Sequence, residues 1–309
     1  MLFPVADGHC DYLYGQINSG YDLRRPVSGQ AIRLKDMKEG NVKLQFFAVW
    51  IDMKLKLPPL HQALGMIDAY HKNLELYPDD LCVLTPDYSP DSGRIATVLA
   101  IEGGEAIDGS LRILHDMYRL GVRAMTLTWN YNNELAGAAL AFGNKGLTPL
   151  GKDVVLEMNR LGIAPDVSHL SDRGIDDMLS LSDAPVFASH SNARSVFASN
   201  RSLSDEHIRE ISRRGGTVGV NFYSKQLSKK SVPCLDDIID HMIHIAEVGG
   251  INCCAIGSDF DGMPVYPSGL DTSKGFPDLS QRMLERGFTE QEISRIFYHN
   301  LHDYIVRYV

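Results

Sequence analysis

Cysteine is scarce in this chain, and none of it sits at a spacing that metal or redox chemistry uses. Cys10, Cys82, Cys234, Cys253 and Cys254 are odd in number and scattered, and no CxxC occurs. Neither a disulfide framework nor a cysteine zinc site is indicated, and free thiols suit a reducing compartment, so the expected location is cytoplasmic. No run approaches the roughly 18 consecutive apolar residues of a membrane-spanning helix. Met1 to Ala6 lacks the basic patch and apolar stretch of a signal peptide, and Tyr304 to Val309 is too short for a lipid-anchor tail, so no membrane partner is expected. A basic stripe is missing too. The 30 Lys and Arg face 39 Asp and Glu, a formal net charge of −9, and no nucleic-acid partner is expected. No linker, low-complexity segment or internal repeat divides the chain.

What the chain does have is an ordinary globular composition, 44% hydrophobic and 22% charged over 309 residues, enough for a sizeable core. Short β-rich runs recur along it: Phe3–His9, Val42–Trp50, Ile95–Ile101, Ala124–Thr128, Ile163–Ser168, Pro185–Ser189, Thr217–Asn221 and Cys254–Ser258. Several are nearly continuous apolar segments, the pattern of parallel strands covered on both faces. Helical periodicity separates them, as in Leu60–Leu76, Ala106–Leu120 and the stretch that begins at Thr148-Pro149. Ser171, Ser204 and Thr289 stand where N-caps belong, and Gly121, Gly162 and Gly287 where left-handed C-caps do. Strand–helix alternation repeated eight times predicts a parallel α/β architecture. A doubly wound sheet would commonly carry a glycine-rich phosphate turn after its first strand, and Asp7-Gly8-His9-Cys10-Asp11 is not one. The expected fold is therefore a single (β/α)8 TIM barrel, one catalytic domain over residues 1–309.

Active sites of such barrels lie at the carboxyl ends of the strands, and the chemically capable residues fall there. The first strand ends in His9-Cys10-Asp11, where residues i and i+2 share a face. Glu102 ends the third, His169 the fifth, His190 the sixth, and Asp259 the eighth. Three imidazoles and three carboxylates converging on one mouth would repel and go unsatisfied as simple packing. A pair of divalent ions resolves both problems. The mixture of histidine and carboxylate without thiolate suits zinc, with manganese or iron as alternatives. Two ions roughly 3.5–4 Å apart would activate a shared water for hydrolysis. The other eight histidines, His61, His71, His115, His207, His241, His244, His299 and His302, fall in helical stretches and are expected to be surface or satisfied core residues.

These segments resemble the membrane dipeptidase (renal dipeptidase) family, the M19 zinc peptidases, over nearly the whole chain. Asp7-Gly8-His9-Cys10-Asp11 is similar to the family's DGHxD signature and Glu102-Gly103-Gly104 to its EGG segment. Asp166-Val167-Ser168-His169 and Ser189-His190-Ser191-Asn192 resemble its two histidine segments, and Gly257-Ser258-Asp259-Phe260-Asp261-Gly262 its GDFDG segment. The resemblance implies two Zn2+ per chain, His9 and Asp11 on one, His169 and His190 on the other, with Glu102 bridging. It implies that Asp259 takes a proton from the bridging water and passes it to the leaving amine; an acid that only orients a ligand is the alternative role. Arg201 is implied to bind the substrate's terminal carboxylate, a suitable task for a guanidinium fork, and is preferred to Arg194. Tyr223 is implied to lie beside the substrate, with wall packing as the alternative. A homodimer is also implied.

One position departs from the family. Where the mammalian enzymes have a substrate-holding histidine after the fourth strand, this chain has Thr128-Trp129-Asn130, and an indole N–H can only donate. Trp129 is expected to donate to the oxyanion or to wall the pocket for an apolar side chain. The resulting expectation is a binuclear zinc dipeptidase in which a metal-bridging hydroxide attacks the peptide bond, with tolerance of a D-residue at the carboxyl-terminal position. A metal-dependent amidase or lactonase acting on N-acyl amino acids is the first alternative, and a non-catalytic, metal-stabilised binding barrel the second.

Overall fold

The structure, a computed structural model, describes residues 2–309; Met1, which begins both the expected domain and the amino-terminal stretch read above, lies outside them. Eight strands form one sheet: β1 (Val5–Asp7), β2 (Val42–Trp50), β3 (Leu81–Val83), β4 (Ile95–Glu102), β5 (Val122–Thr126), β6 (Ala164–Asp166), β7 (Val218–Val220) and β8 (Cys254–Ile256). All run parallel, seven of them in the order β6-β5-β4-β2-β1-β8-β7 and β3 off this path beside β4. The two ends of that order are joined by parallel bridges from Asp166 to Phe187 and from Ala188 to Val218. The curled sheet thus closes on itself through the segment 187–188, an α/β barrel of the TIM type.

Two strand expectations are corrected. Pro185–Ser189 holds its place between β6 and β7 but makes only single bridges. Its Ser189 carbonyl stands where three neighbouring glycines would carry a side chain: an added Cβ would meet it at 2.7 Å from Gly8, 2.1 Å from Gly219 and 1.9 Å from Gly257. The close approach of these backbones displaces a regular ladder. The unexpected strand is β3, which pairs Leu81–Val83 with the start of β4 on the edge that β5 takes further along. Other strands shift by a few residues at their ends, and Val42–Trp50 matches throughout. The helical stretch Ala106–Leu120 is split: Asp108 and Gly109 are left-handed (φ 47° and 63°), and Ser110 caps a shorter helix, Leu111–Arg119, by accepting from Ile113 N. Ser171, Ser204 and Thr289 each cap a helix through the side chain, and Gly121, Gly162 and Gly287 have positive φ. Among the described residues no helix is long and apolar enough to cross a membrane.

The core has two parts. One packs the outer faces of the strands against the helices, with Val5, Phe47, Val49, Met125 and Val220 among its members. The other gathers Ala6, Phe46, Val98, Ala124, Phe187 and Ala255 from the strands around Tyr298, Leu301 and Tyr304 of the carboxyl-terminal helical segment. That segment closes the amino end of the barrel. Tyr304 Oη donates to Pro185 O at 2.9 Å, and Asn300 Nδ2 to Ile251 O and Cys254 O, both at 2.8 Å. Tyr304 is 1% exposed and packs on Phe187. Tyr304→Ala is therefore expected to cost about 3–5 kcal/mol and Tyr304→Phe about 1 kcal/mol, read from urea unfolding midpoints. Equal effects for the two variants would mean that the ring does not plug the barrel.

Candidate metal centre

The mouth opposite that plug collects the charge. His9 and Asp11 follow β1, and the chain there is locked to the end of β8: Asp259 N donates to His9 O at 3.2 Å and Asp11 N to Phe260 O at 2.9 Å. Glu102 is the last residue of β4. His169 follows β6, and its carbonyl accepts from Ala139 N (2.8 Å) and Thr128 Oγ1 (3.3 Å). His190 follows the bridged segment, its amide held by Ser168 Oγ at 3.1 Å. Two buried carboxylates brace these strand ends from below. Asp7 accepts from Ser258 N, Ser258 Oγ and Gln45 Nε2, and Asp166 from Ser168 N and Ser189 N. Burial raises the proton affinity of both acids, and those hydrogen bonds oppose it.

Ligand-capable atoms converge in three overlapping sets, His9–Asp11–Glu102, Glu102–His169–His190 and His9–His190–Asp259. Glu102 divides its oxygens. Oε2 lies 3.3 Å from His9 Nε2, while Oε1 lies 2.9 Å from His169 Nε2 and 3.5 Å from His190 Nε2. His9 Nε2 is 3.6 Å from Asp11 Oδ2. The Nε2 atoms of His169 and His190 face each other at 3.0 Å.

The ring orientations are set from outside. His169 Nδ1 meets Asn130 Oδ1 at 3.0 Å, and an amide oxygen only accepts, so Nδ1 carries the proton and Nε2 turns its lone pair to the centre. Ser189 Oγ, which donates to Ser168 Oγ, meets His190 Nδ1 at 2.7 Å and sets the same tautomer there. Such partners are what orient histidines on a metal. Among the candidate ligands, two buried atoms have no hydrogen-bond partner, His9 Nε2 and Asp11 Oδ1. Unmet polar atoms inside a closed set of donors are what a cation would satisfy, and the residues present fit a pair of divalent ions.

Electrostatics agree. Burial opposes ionisation of Glu102, yet His9 and His169 outweigh it and hold the carboxyl well below the usual range. Burial opposes protonation of His9, but Glu102 and Asp11 raise its proton affinity well above normal, the response of a site with surplus negative charge. His169 is lowered to about 4 by burial and by the Arg201 charge. His190 falls well below the ordinary value through burial and its cationic neighbours. Asp259 is pushed up to about 8, by burial first and also by Asp11 and Glu102. Its Oδ2 accepts from Asn221 Nδ2 at 3.1 Å.

Strain is concentrated here as well. His169, Asp259 and Asp261 are non-glycine residues with φ of 68°, 64° and 67°, conformations that persist only when the surroundings hold them. Gly262 is required by close approach. A Cβ there would stand 2.2 Å from Asp11 Oδ2 and 2.4 Å from Asp259 Oδ1. Gly262→Ala is expected to displace both carboxylates and lower the activity proposed below by roughly 10²-fold, with weaker metal retention on dialysis. Unchanged metal retention and rate would contradict this packing.

The cavity over these residues is about 290 Å³ and is lined by Asp11, Glu102, His169 and Asp259, and also by Trp129 and Tyr223. Arg201 lies elsewhere. It is 3% exposed, donates from Nη1 to Ser191 Oγ (2.9 Å) and from Nη2 to His190 O (3.0 Å), and does not line the cavity. Its Nε is buried without a partner. Arg194 is spent on a two-point ion pair with Asp172. Sequence reasoning missed Asn130, Asn221, Trp50, Tyr14 and Asp261, all of which touch a site residue or line the cavity. Asn130 and Asn221 stand one residue after Trp129 and two before Tyr223, so adjacency to positions already singled out was the available signal. Six of the eight helical histidines find separate partners, as His241 does between Ala193 N and Leu227 O.

A closed parallel barrel whose mouth gathers histidines and carboxylates into overlapping ligand sets defines a class, the parallel α/β barrels with a candidate metal centre at the carboxyl ends of their strands. The chain belongs to the membrane dipeptidase family, peptidase family M19, which matches residues 2–303. It is 35% identical over 276 residues to an uncharacterized dipeptidase of Schizosaccharomyces pombe, covering 82% of this chain and 66% of that protein. It is 32% identical over 312 residues to dipeptidase 3 of Mus musculus, covering 97% and 63%. The chain thus spans a little under two thirds of the length of these relatives. Among solved structures, a metallopeptidase from Rhodobacter sphaeroides liganded with a phosphinate mimic of the dipeptide L-Ala-D-Ala superposes with a TM-score of 0.92 at 26% identity, covering 100% of both chains. Dipeptidase AC, a metallopeptidase of family M19, gives 0.91 at 26% identity, covering 100% of this chain and 99% of that one.

Proposed function

We propose that this protein is a binuclear metallodipeptidase, a single catalytic barrel over residues 1–309 that hydrolyses the peptide bond of dipeptides. The observation that carries the reading is the division of Glu102 between His9 on one side and His169 and His190 on the other. His9 and Asp11 would hold one ion, His169 and His190 the second, and Glu102 both. Imidazole and carboxylate without thiolate favour zinc. Such a pair supplies a concentrated positive charge that polarises a peptide carbonyl and makes water acidic.

The remaining work falls to the chain's own residues. Asp259, at the edge of the ligand sets and facing the cavity, is placed to accept the proton of the attacking water and return it to the leaving amine. Asn221 holds one of its oxygens and leaves the other for that exchange. Arg201 is the proposed clamp for the substrate's terminal carboxylate. Its unpartnered Nε supports this role, and reaching a carboxylate requires the guanidinium to exchange its contact with Ser191. The L-Ala-D-Ala mimic on the Rhodobacter protein supports tolerance of a D-residue at the carboxyl-terminal position. Five unpaired cysteines, three of them buried, suit the reducing cytoplasm.

The test is a panel of L–L, L–D and D–L dipeptides, an amidated dipeptide and an N-acyl amino acid, with metal quantified on the same sample. Turnover of L–D pairs is expected, with kcat/KM for the amidated dipeptide lower by roughly 10²-fold, the loss of a charged hydrogen-bonded pair. A second reading, an amidase acting on N-acyl amino acids, is favoured by Trp129, which adds apolar surface to the cavity wall beside Trp50. Turnover confined to the acyl compound would establish it in place of the first.

A further inference from the structure

The chain has two tryptophans, Trp50 and Trp129, and both line the cavity that holds the candidate ligands. They follow different strands, Trp50 ending β2 and Trp129 lying beyond β5, and meet edge to face with ring centroids 5.0 Å apart at 64°. Tyr14 extends the row beyond Trp50, at 4.6 Å and 68°, with its Oη held by Asp52 Oδ2 at 2.9 Å. Trp129 reaches to 6.3 Å from the His169 ring. Trp50 is paired in register with Glu102, so both tryptophans of the row stand beside the ligand sets.

As plain core packing this row is poorly explained. Both indoles are only half buried, and both present surface to the cavity. Trp50 Nε1 is enclosed yet has no hydrogen-bond partner, a donor left for an oxygen that the chain does not supply. Rings fixed by their neighbours are preorganised, so apolar surface laid on them loses little ordering entropy. A charged side chain laid on these rings would shed its hydration against apolar surface, at a cost that an apolar side chain does not bear.

We propose that Tyr14, Trp50 and Trp129 form a selectivity wall, and that the preferred substrates are dipeptides carrying at least one large apolar or aromatic side chain. The inference deepens the dipeptidase reading and rests on it for the identity of the substrate.

The metal-loaded protein is assayed with dipeptides in which each residue in turn is Gly, Leu, Phe, Asp or Lys. In parallel, tryptophan emission, which reports only on this wall, is titrated with phosphinate dipeptide mimics bearing a benzyl or a carboxymethyl side chain. At one or both positions, Phe and Leu are expected to exceed Asp, Lys and Gly in kcat/KM by roughly 10-fold or more. The benzyl mimic is expected to bind correspondingly tighter. Trp129→Ala removes most of that preference, and Trp129→Phe restores it. A flat profile, a preference for Lys or Asp, or an aromatic preference untouched by Trp129→Ala overturns the wall. Should no dipeptide be hydrolysed, the dipeptidase reading fails separately, and the emission titration still decides: tighter benzyl binding upholds the wall, equal binding overturns it.

Discussion

Replacing Glu102 with glutamine is expected to reduce dipeptide turnover by on the order of 10³-fold or more and to leave no more than one tightly held metal per chain. The carboxylate is 3% exposed, and each of its oxygens faces a different imidazole set. An amide keeps the shape but offers one acceptor, and turns its NH2 toward either His9 or the His169–His190 pair. One ligand set must therefore lose its shared oxygen. The substitution has a second consequence in the metal-free protein. There Glu102 is the strongest of the charges that raise the proton affinity of buried His9, and removing one partner of a buried pair costs about 3–5 kcal/mol. Metal analysis, kcat/KM and a urea midpoint in chelator follow the three effects separately. Retention of two metals by Glu102→Gln would contradict the bridging role.

Asp259→Asn is expected to behave differently, lowering kcat by roughly 10²- to 10⁴-fold with KM and metal content close to those of the parent. The variant keeps the left-handed site, since asparagine tolerates φ near 64°, and removes only the ability to carry a proton. The contrast with Glu102→Gln separates two roles that the static cluster leaves together, because Asp259 also lies within reach of His9 and His190. If Asp259 served mainly to orient a ligand, metal retention would fall along with the rate. Single-turnover rates together with metal analysis of the dialysed variant distinguish the outcomes.

Most of the candidate centre was legible from sequence because each ligand candidate stands at the end of a strand, and strand ends of a parallel barrel share one mouth. His9, Glu102, His169, His190 and Asp259 come from five different staves, and closure of the sheet alone brings them together. What stayed hidden depends on loops and on irregular backbone. Pro185–Ser189 has a strand's composition, but the inward Ser189 carbonyl, possible only beside Gly8, Gly219 and Gly257, leaves it with bridges instead of a ladder. Leu81–Val83 is three residues long and ends half exposed at Val83, too short for periodicity to register. Asn130 and Asn221 matter through one hydrogen bond each, across 39 and 38 residues of chain, and no local pattern encodes such a contact. Trp50 was counted as the last apolar residue of a strand, and only its meeting with Trp129 gives it a place in the cavity. Arg201, named on family resemblance, lies buried against His190 instead of on the cavity wall.

The central claim is that one carboxylate joins two metal positions that act together. Protein stripped with chelator and then titrated with zinc, with L–D dipeptide turnover and bound zinc followed in the same series, tests it most directly. Negligible activity without metal and a rate that climbs until about two zinc per chain are bound is the predicted course. A rate that is complete at one zinc per chain, or that persists in the stripped protein, would contradict it.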